Sequence, residues 1–506
     1  MTAAVWLIAS VTGCGPRVSL PRPHATWVLG CDAPAFDPDG PPDPRRAAIE
    51  RLLTRGLVEE DSTGRVVPVA AERVEVSPDS LLYTFHLRPG LAFTDGAPCR
   101  SAVFRDALRA GLARTDHSTR RWQLGAVRGV DAIRTGRPLP PLGIDTPDSL
   151  TLAVRLAAPD RGLLQRLAIP GTTAAWRRRG PGSWGGAVGL GPLRVRAADS
   201  LRGLELVRAT STFARPELAD TLSVRFAPGP ARVRAMLRAA RPDLVWPVPP
   251  GLLSEPVPAS YRRVVQDARP ARWLLLVMRA DLPPTSKQPA RHALGHGINR
   301  TEVMRALGAR ALDVGAWIDG APAYDFPRLD PQEVELWRER GKLGHSFHVV
   351  VAYDATGPAA EVVRLMQGEW AAHAIYVELA PLMGAKRTRE FLGGRDHLVL
   401  AEMQAPTTDP ASLLSLLVMP MRGPAVGGVR TGWRTRDFDA WVAPGSAAAR
   451  HELAWDPARV QHRLEEERVV LPLARLPWVW LERAGGPVAG FHPRYGPECP
   501  TPAVPR

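Results

Sequence analysis

The sequence predicts an α/β fold with mixed sheets, divided into two or three lobes. Segments of strand-like alternation and segments of helical periodicity follow each other along most of the chain, which indicates mixed sheets packed against helices. One compact core would be unusually large for 506 residues, so several lobes are expected. A glycine-dense segment at residues 180–191 is a natural crossing point between lobes.

The first half of the chain contains the clearest strand pattern. Residues 73–76 and 82–87 alternate apolar and polar side chains on either side of a polar turn, and they predict a β-hairpin. Residues 45–56 predict a helix, because apolar residues share one face and Gly56 ends the pattern. Further helices are predicted at residues 101–112 and 231–240, and further strands at residues 26–30, 150–156, 193–195, 204–207 and 221–226.

The second half opens with the apolar segment 273–278, which predicts a strand. Residues 347–353 have the same apolar character and predict a buried strand. The remaining predicted elements are helices at residues 290–298, 361–374 and 387–392, and strands at residues 376–379 and 397–401. The alternation of both element types continues here, which supports the α/β prediction.

The basic composition does not by itself indicate a nucleic-acid partner. The formal net charge is +14, and of 65 basic residues only Lys287, Lys342 and Lys386 are lysines. The arginines are scattered and accompany many Ala, Pro and Gly residues, a pattern typical of GC-rich codon usage. A nucleic-acid footprint needs basic residues gathered on one face. We therefore expect a solvated surface and no nucleic-acid partner.

Residues 1–17 are predicted to be a signal peptide that contains a lipobox. An apolar run at residues 3–11 leads into Val11-Thr12-Gly13-Cys14, which resembles the lipobox of bacterial lipoproteins. In such signals the cysteine thiol receives a diacylglycerol, so Cys14 would anchor the protein to a membrane surface. A buried first strand with an unrelated cysteine is the alternative. No segment reaches the roughly 18 uninterrupted apolar residues that a spanning helix needs.

The other cysteines do not predict a redox or zinc site. Cys31, Cys99 and Cys499 cannot all pair with one another, and the CxxC spacing of zinc ribbons and redox dithiols is absent. The count alone leaves one disulfide open, for example between Cys31 and Cys499.

The sequence offers no complete catalytic or metal-binding motif. His292 and His296 have the i, i+4 spacing of two metal ligands on one helix face, but no Glu follows His292 and the HExxH motif is missing. A Gly-x-Ser-x-Gly elbow is absent, and the glycine-rich run at residues 182–186 lacks the GK[ST] ending of a phosphate-binding loop. We therefore predict a protein that is not an enzyme and that has no metal and no cofactor.

The hairpin region resembles a known family. Residues 82–90 (LYTFHLRPG) followed by residues 93–96 (FTDG) resemble the signature region of the extracellular solute-binding proteins of family 5, the oligopeptide-, dipeptide- and nickel-binding components of ABC importers. The resemblance extends over nearly the whole chain. Supporting motifs occur in the family's order, among them Gly189-Leu190-Gly191-Pro192, Ala293-Leu294, Asp409-Pro410 and Pro472-Leu473.

The resemblance implies a periplasmic-binding-protein-like fold of type II, with two hinged lobes of mixed sheets and a third, inserted lobe. In this family the lobes close over a solute that binds the closed form better. The implied division assigns residues 18–45, 186–272 and 478–506 to lobe I, residues 46–185 to lobe II, and residues 273–477 to lobe III.

The resemblance also points to a ligand-binding loop that departs from the family pattern. Peptide binders of the family hold the ligand's α-ammonium group with an Asp three residues before an acidic-Pro pair, a position occupied here by Pro406. A desolvated ammonium without a counter-charge is strongly disfavoured, so such a ligand would need Glu402 or Asp409 instead. An ordinary capped turn before a helix at residues 413–417 is the alternative interpretation. We predict ligand contacts from Gln404, Thr407, Thr408 and Asp409.

Trp122 is a further predicted ligand contact. It follows the first helix of the predicted lobe II together with Arg120 and Arg121, where relatives often place a ligand-facing aromatic residue. Positions on the solvated surface are the alternative for all three residues.

Together these observations predict a lipid-anchored, extracytoplasmic and monomeric protein of the bacterial cell envelope. It would deliver a peptide-like or other small solute to the permease subunits of an ABC importer. One alternative is an envelope receptor or scaffold of the same fold that has lost transport. It is motivated by three departures from the family pattern: Pro406, Met403 in place of the tryptophan of the peptide binders, and Val74 in place of the usual aromatic residue. The other alternative is a hydrolase, which would need a nucleophile and a base that the sequence does not show.

Overall fold

The computed structural model describes most of the chain between residues 24 and 501. The described residues are 24–31, 33–34, 44–113, 120, 123–133, 137–160, 162–173, 176–178, 184–199, 203–213, 219–239, 241–253, 255–267, 271–308, 311–355, 357–382, 396–405, 407, 411–417, 431–433, 456–486, 488–492 and 496–501. Cys14 and the predicted helix at residues 387–392 lie outside them. In this part of the chain we find no helix long and apolar enough to cross a membrane.

A seven-stranded mixed sheet forms the first large unit. Its strands, in spatial order, are Leu193–Asp199, Gly203–Arg208, Thr221–Phe226, His24–Leu29, Leu244–Val245, Trp478–Arg483 and Tyr261–Gln266. The strand His24–Leu29 runs parallel to both of its neighbours, and the other pairs are antiparallel. Trp27 packs into a core on one face, and Val28 packs into a second core on the other. Burial on both faces explains why this strand lacks clean alternation.

Helices cover both faces of this sheet. The helix Pro44–Leu53 contributes Ile49, Leu52 and Leu53 to the same core as Trp27. The helices Pro230–Ala239 and Pro250–Leu253 supply Val233 and Leu252 to the core around Val28. Most of the helix Pro44–Leu53 falls within residues 46–185, the predicted lobe II, and the division into lobes stays a prediction.

A five-stranded mixed sheet forms the second large unit. Its spatial order is Ile375–Leu382, Phe347–Asp354, Leu398–Gln404, Arg272–Met278 and Val470–Leu476. The first three strands run parallel and the last two are antiparallel to their neighbours. The predicted apolar strand 273–278 lies inside the sheet and is buried along its whole length. The helices of this unit are Gln288–His296, Arg300–Leu307, Pro331–Gly341, Ala359–Ala372, Ala411–Leu417 and Pro457–Glu467.

Two of these helices begin and end in the same way. Asp330 and Asp456 each accept hydrogen bonds from the two backbone N–H groups that lie two and three residues further on, and a proline occupies the next position after each Asp. This is a strong N-terminal signal, because the side chain satisfies otherwise unpaired donors and proline fits the first helical turn. The helices end at Lys342 and Arg468, which adopt left-handed conformations with φ of 48° and 52°.

The third unit is a four-stranded antiparallel sheet in the order Ala71–Val76, Leu82–Leu87, Thr151–Arg155 and Ile144–Asp148. The predicted hairpin is therefore confirmed. The helices Ser101–Ala113 and Leu163–Leu167 and the 3-10 helix Val130–Ala132 complete this unit. Three two-stranded ribbons lie elsewhere: Val58–Glu60 with Val66–Pro68, Trp176–Arg178 with Ala187–Gly189, and Val488–His492 with Gly496–Thr501.

The α/β prediction with mixed sheets is confirmed. Among the described residues, the five-stranded sheet packs into one hydrophobic cluster, the seven-stranded sheet into one cluster on each face, and the four-stranded sheet into a cluster of its own. Several separate cores are what a length of 506 residues leads one to expect, because a single core stops growing at roughly 250–300 residues.

Candidate functional site

The two large sheets are joined by two neighbouring crossing segments. The chain leaves the seven-stranded sheet after Gln266 and enters the five-stranded sheet at Arg272; it returns at Pro477, between Leu476 and Trp478. Gln266 pairs with Trp478 in one sheet, and Arg272 pairs with Leu476 in the other. The ends of the two crossings therefore lie side by side, a geometry in which rotation about a few backbone bonds can move one sheet relative to the other.

Arg272 contacts three groups at this junction. Its Nε donates to Oε1 of Glu402 at 2.9 Å, and its Nη2 donates to the same oxygen. Its Nη1 donates to the backbone oxygen of Pro477 at 3.1 Å. Its guanidinium carbon lies 4.3 Å from the ring centroid of Trp478. The Arg272 side chain is 14% exposed and that of Glu402 is 30% exposed, so this ion pair is partly shielded from water.

The ion pair between Glu402 and Arg272 affects which ligand groups Glu402 can bind. Glu402 is one of two carboxylates that would replace the family's ammonium-binding Asp, and here its charge is balanced by Arg272. A ligand ammonium group would have to compete with a guanidinium that already donates twice to this carboxylate. The analysis of the sequence missed Arg272 and Trp478, although an arginine that opens an apolar strand is a visible signal.

The predicted ligand-binding loop begins at the end of the strand Leu398–Gln404. Gln404 is half-buried and lies opposite Arg272 in the sheet register. Thr407 is only 2% exposed; its N–H group donates to Oγ of Ser412 at 3.1 Å, and that hydroxyl donates to the Thr407 oxygen. Thr408 and Asp409 lie outside the described residues. The ligand contacts of this loop therefore stay a prediction.

Two hydrogen bonds between the Ser412 hydroxyl and the backbone of Thr407 fix the described part of this loop as a turn. The hydroxyl closes a ring with Thr407 at the start of the helix Ala411–Leu417. The helix predicted at residues 413–417 begins two residues earlier than expected. A turn fixed in this way holds its backbone in one position, which suits either a purely structural turn or a preformed contact surface.

Trp122 and Arg121 also lie outside the described residues, but Arg120 is described. Arg120 is 2% exposed, so a position on the solvated surface, the alternative for this residue, is wrong. Its Nη1 donates to the oxygen of Thr172 at 2.6 Å and to Oε1 of Gln123 at 3.0 Å, and its Nη2 donates to the oxygen of Gly171 at 3.1 Å. The guanidinium can be buried because carbonyl oxygens accept hydrogen bonds from its N–H groups, which point in fixed directions.

A second buried arginine extends this network. Arg166 forms an ion pair with Asp160, and its Nε donates to the oxygen of Gln123 at 3.1 Å. The Tyr83 hydroxyl donates to the backbone oxygen of Asp160 at 3.3 Å. Burial, and then the negative charge of Asp160, raise the pKa of Tyr83 above its ordinary value. We interpret the cluster as structural, because its hydrogen bonds and its ion pair join groups of the same unit.

Two motifs of the family resemblance meet in space. The N–H group of Thr94 donates to the oxygen of Gly189 at 2.9 Å, and that of Gly191 donates to the oxygen of Leu53 at 2.9 Å. A Cβ atom at Gly189 would lie 2.1 Å from the oxygen of Leu53, and one at Gly191 would lie 2.3 Å from the oxygen of Leu52. Both positions require glycine because the backbones are in direct contact.

The histidine pair does not form a metal site. His292 Nε2 lies 2.8 Å from the backbone oxygen of Glu466, whereas His296 Nδ1 lies 3.1 Å from that of Arg328. The His292 ring stacks on Trp337 with centroids 4.2 Å apart. Burial, and then nearby positive charges, lower the pKa of His292 to about 4. Among the described residues, no group of three His, Cys, Asp or Glu side chains could hold a metal ion.

The comparison with protein families decides the assignment. The family model described as bacterial extracellular solute-binding proteins, family 5 Middle, matches residues 65–421. The chain belongs to this family. Within this solute-binding family, the chain is 24% identical over 471 residues to the peptide transport periplasmic protein SapA of Salmonella typhimurium, an alignment that covers 84% of the chain and 81% of SapA.

Other curated relatives match over shorter segments. The Di/tripeptide-binding protein 4 of Pseudomonas aeruginosa is 35% identical over 130 residues, which is 24% of each protein. The periplasmic oligopeptide-binding protein OppA of Escherichia coli is 29% identical over 150 residues, which is 28% of the chain and 27% of OppA. The solute-binding chain thus aligns with about a quarter of the length of these two relatives.

Solved structures of the family show the same fold. The murein tripeptide binding protein MppA of Escherichia coli superposes with a TM-score of 0.77 at 16% identity, covering 94% of the chain and 97% of MppA. The binding protein AgaA of A. tumefaciens, solved with agropinic acid, gives a TM-score of 0.76 at 17% identity over 92% of the chain and 94% of AgaA. The periplasmic-binding-protein-like fold of type II predicted from the sequence is confirmed.

Proposed function

We propose that this family 5 protein is the extracytoplasmic solute-binding component of an ABC importer, and that it captures a peptide-like or other small solute by hinge closure. The observation that carries the proposal is the pair of adjacent crossings between two large sheets with separate cores. Two rigid bodies with a narrow connection can swing together over a ligand, and a ligand that contacts both bodies favours the closed form. The solute would be passed on chemically unchanged.

The proposed ligand contacts are Gln404, Thr407, Thr408, Asp409 and Trp122. They offer amide, hydroxyl, carboxylate and indole groups, which suits the polar backbone and apolar side chains of a peptide-like solute. Because Pro406 carries no charge and Arg272 balances Glu402, we propose that the ligand is not held by an ammonium group in the manner of the family's peptide binders. The names of the relatives SapA and Di/tripeptide-binding protein 4 support a peptide-like solute.

The partners follow from this role. The protein would act as a monomer in the cell envelope, with lobes I and III, as divided above, presented to the permease subunits. Acylation of Cys14 would hold it at the membrane surface, since each buried methylene contributes about 0.8 kcal/mol. The Cys14→Ser variant should then move from the membrane fraction to the soluble fraction. Equal amounts of both proteins in the membrane fraction would contradict the anchor.

Native mass spectrometry of the gently purified protein tests the binding function. A solute-binding protein should carry a copurified molecule whose mass disappears when the protein is unfolded and refolded. The released molecule can then be identified by fragmentation and added back to measure the dissociation constant. A protein that is purified without any small molecule, and that binds no member of a di- to pentapeptide library, would contradict the proposal.

The role of the loop is tested by two substitutions. With the copurified solute as probe, the Thr407→Ala and Asp409→Ala variants should each bind at least tenfold more weakly, which corresponds to about 1.4 kcal/mol. Because Thr407 is buried, Thr407→Ser is the matched control that keeps the hydroxyl, and the unfolding midpoint of each variant must be measured. Unchanged affinity in both alanine variants would remove this loop from the site.

A further inference from the structure

Arg272 lies where the chain passes from the seven-stranded to the five-stranded sheet, and its contacts reach both. We propose that Arg272 is a positioning residue for lobe closure: its guanidinium links Glu402 to Trp478 and thereby sets the population of the lobe arrangement described here. The inference deepens the hinge closure proposed above and rests on it. It concerns residues of this chain that lie at the hinge and need not touch the ligand.

The contact on the five-stranded side is an arginine–carboxylate pair. Arg272 opens the strand Arg272–Met278, and Glu402 lies on the neighbouring strand Leu398–Gln404, opposite Leu274. Both nitrogens that face Glu402 donate to Oε1. Such charge-assisted bonds fix the plane of a guanidinium more firmly than a single neutral bond does. The Arg272 side chain is therefore held by the five-stranded sheet.

The contact on the seven-stranded side is the ring of Trp478. This ring is 3% exposed, and its centroid lies 5.6 Å from that of Trp246 in the core of the same sheet. Trp478 is thus a fixed part of the seven-stranded unit. Arg272 lies over it at 4.3 Å, and a cation–π contact is lost beyond about 6 Å. A rotation that carries the ring away by about 2 Å would break the contact.

The third contact lies in the crossing segment itself. Pro477 is the residue between the two sheets on the return crossing, and its oxygen accepts a hydrogen bond from Nη1 of Arg272 at 3.1 Å. Arg272 therefore contacts the five-stranded sheet, the seven-stranded sheet and the crossing between them. Rotation about the backbone bonds of the crossing changes at least one of these distances.

A second ion pair at the same junction provides a matched control. Arg475 Nη2 lies 3.2 Å from Oδ2 of Asp267, and these side chains are 25% and 43% exposed. This pair is more exposed than the Arg272–Glu402 pair, so water and salt screen it more strongly. Like the Arg272–Glu402 pair, it joins an arginine to a carboxylate at the junction of the two sheets. In the described part of the chain, however, Arg475 does not lie over an aromatic ring of the seven-stranded sheet.

The test measures the distance between the lobes in the full chain without ligand. Nitroxide labels are attached through non-canonical residues, which leaves the cysteines unchanged, at Leu336 on the five-stranded unit and Arg196 on the seven-stranded sheet, both exposed. Pulsed electron paramagnetic resonance then gives the distance distribution for the wild-type chain and for Arg272→Gln, Glu402→Gln, the double variant and Asp267→Asn. Unfolding midpoints are measured in parallel.

We expect the population of the described arrangement to fall about three- to tenfold in Arg272→Gln, with a smaller fall in Glu402→Gln. The double variant should match Arg272→Gln, because coupled groups give non-additive effects. Asp267→Asn should reproduce the wild-type distribution, and the midpoints of all variants should stay close together. A wild-type distribution in Arg272→Gln, or an equal shift in Asp267→Asn, would overturn the inference. No ligand is present, so a failure of solute binding leaves this result intact.

Discussion

His292 should make the stability of the five-stranded unit sensitive to acid. The imidazole is 8% exposed and stacks on Trp337, and the backbone oxygen of Glu466 lies 2.8 Å from Nε2. We therefore assign the proton of the neutral ring to Nε2, which donates to that oxygen. Burial is the main cause that lowers the pKa of His292; the positive charges of Arg468, His296 and Arg291 lower it further, and the contact with Glu466 opposes them.

The direction of the effect follows from proton binding. The pKa of His292 falls from 6.5 to about 4 on folding, so the unfolded chain binds more protons between these pH values. The stabilisation is therefore complete above pH 6.5 and is lost as the pH falls through 6.5 towards 4. The difference between the two pKa values corresponds to about 3 kcal/mol, most of which is lost by pH 4.5.

The substitution His292→Gln isolates this contribution. A glutamine amide can donate to the Glu466 oxygen but does not titrate, so the variant should be somewhat less stable than the wild-type chain at pH 7, because it loses the ring stacking. Between pH 7 and pH 4.5 its free energy of unfolding should fall by about 2–3 kcal/mol less than that of the wild-type chain.

Urea unfolding, followed by circular dichroism at several pH values, measures both free energies. His296→Gln is the matched control, since His296 lies one turn further along the same helix but is not buried. The control should keep most of the acid sensitivity of the wild-type chain, because it removes only the small effect of the His296 charge and leaves the burial of His292 unchanged. Parallel pH dependences of the wild-type chain and His292→Gln would refute the reasoning, because the loss at low pH would then come from other groups.

Three other substitutions test the packing. Gly191→Ala should lower the free energy of unfolding by about 1–3 kcal/mol, since the new Cβ would lie 2.3 Å from the Leu52 oxygen. Gly368→Ala, at an exposed helix position with open space around its Cβ, should raise the free energy of unfolding by up to about 1 kcal/mol. Equal urea midpoints of the two glycine variants would contradict these two predictions. Trp370→Phe should cost about 1–3 kcal/mol, because the Leu294 oxygen loses its indole donor at 2.9 Å; an unchanged thermal midpoint would contradict it.

Local patterns allowed the sheets to be predicted. The alternation at residues 73–76 and 82–87 gave the correct hairpin, because the period of two matches one buried face of a sheet. The apolar run 273–278 gave the correct buried strand. The pairing of distant strands was not predicted, since neither segment indicates which distant strand lies beside it.

Contacts between distant residues could not be predicted in the same way. Arg272 and Glu402 are separated by 130 positions, and nothing in either local sequence indicates the other. Arg120 lies beside Arg121 and Gln123 in a polar stretch that favours a surface position, yet carbonyl oxygens of Gly171 and Thr172 make its burial possible. Such acceptors are present in every residue, so the sequence carries no signal for them.

The topology of the seven-stranded sheet has a consequence for biosynthesis. The strand Trp478–Arg483 lies between Leu244–Val245 and Tyr261–Gln266, although it is synthesised more than two hundred residues after them. Until this strand has joined the sheet, both earlier strands present edges to which another chain can add. The sheet can therefore be completed only when nearly the whole chain is available for folding.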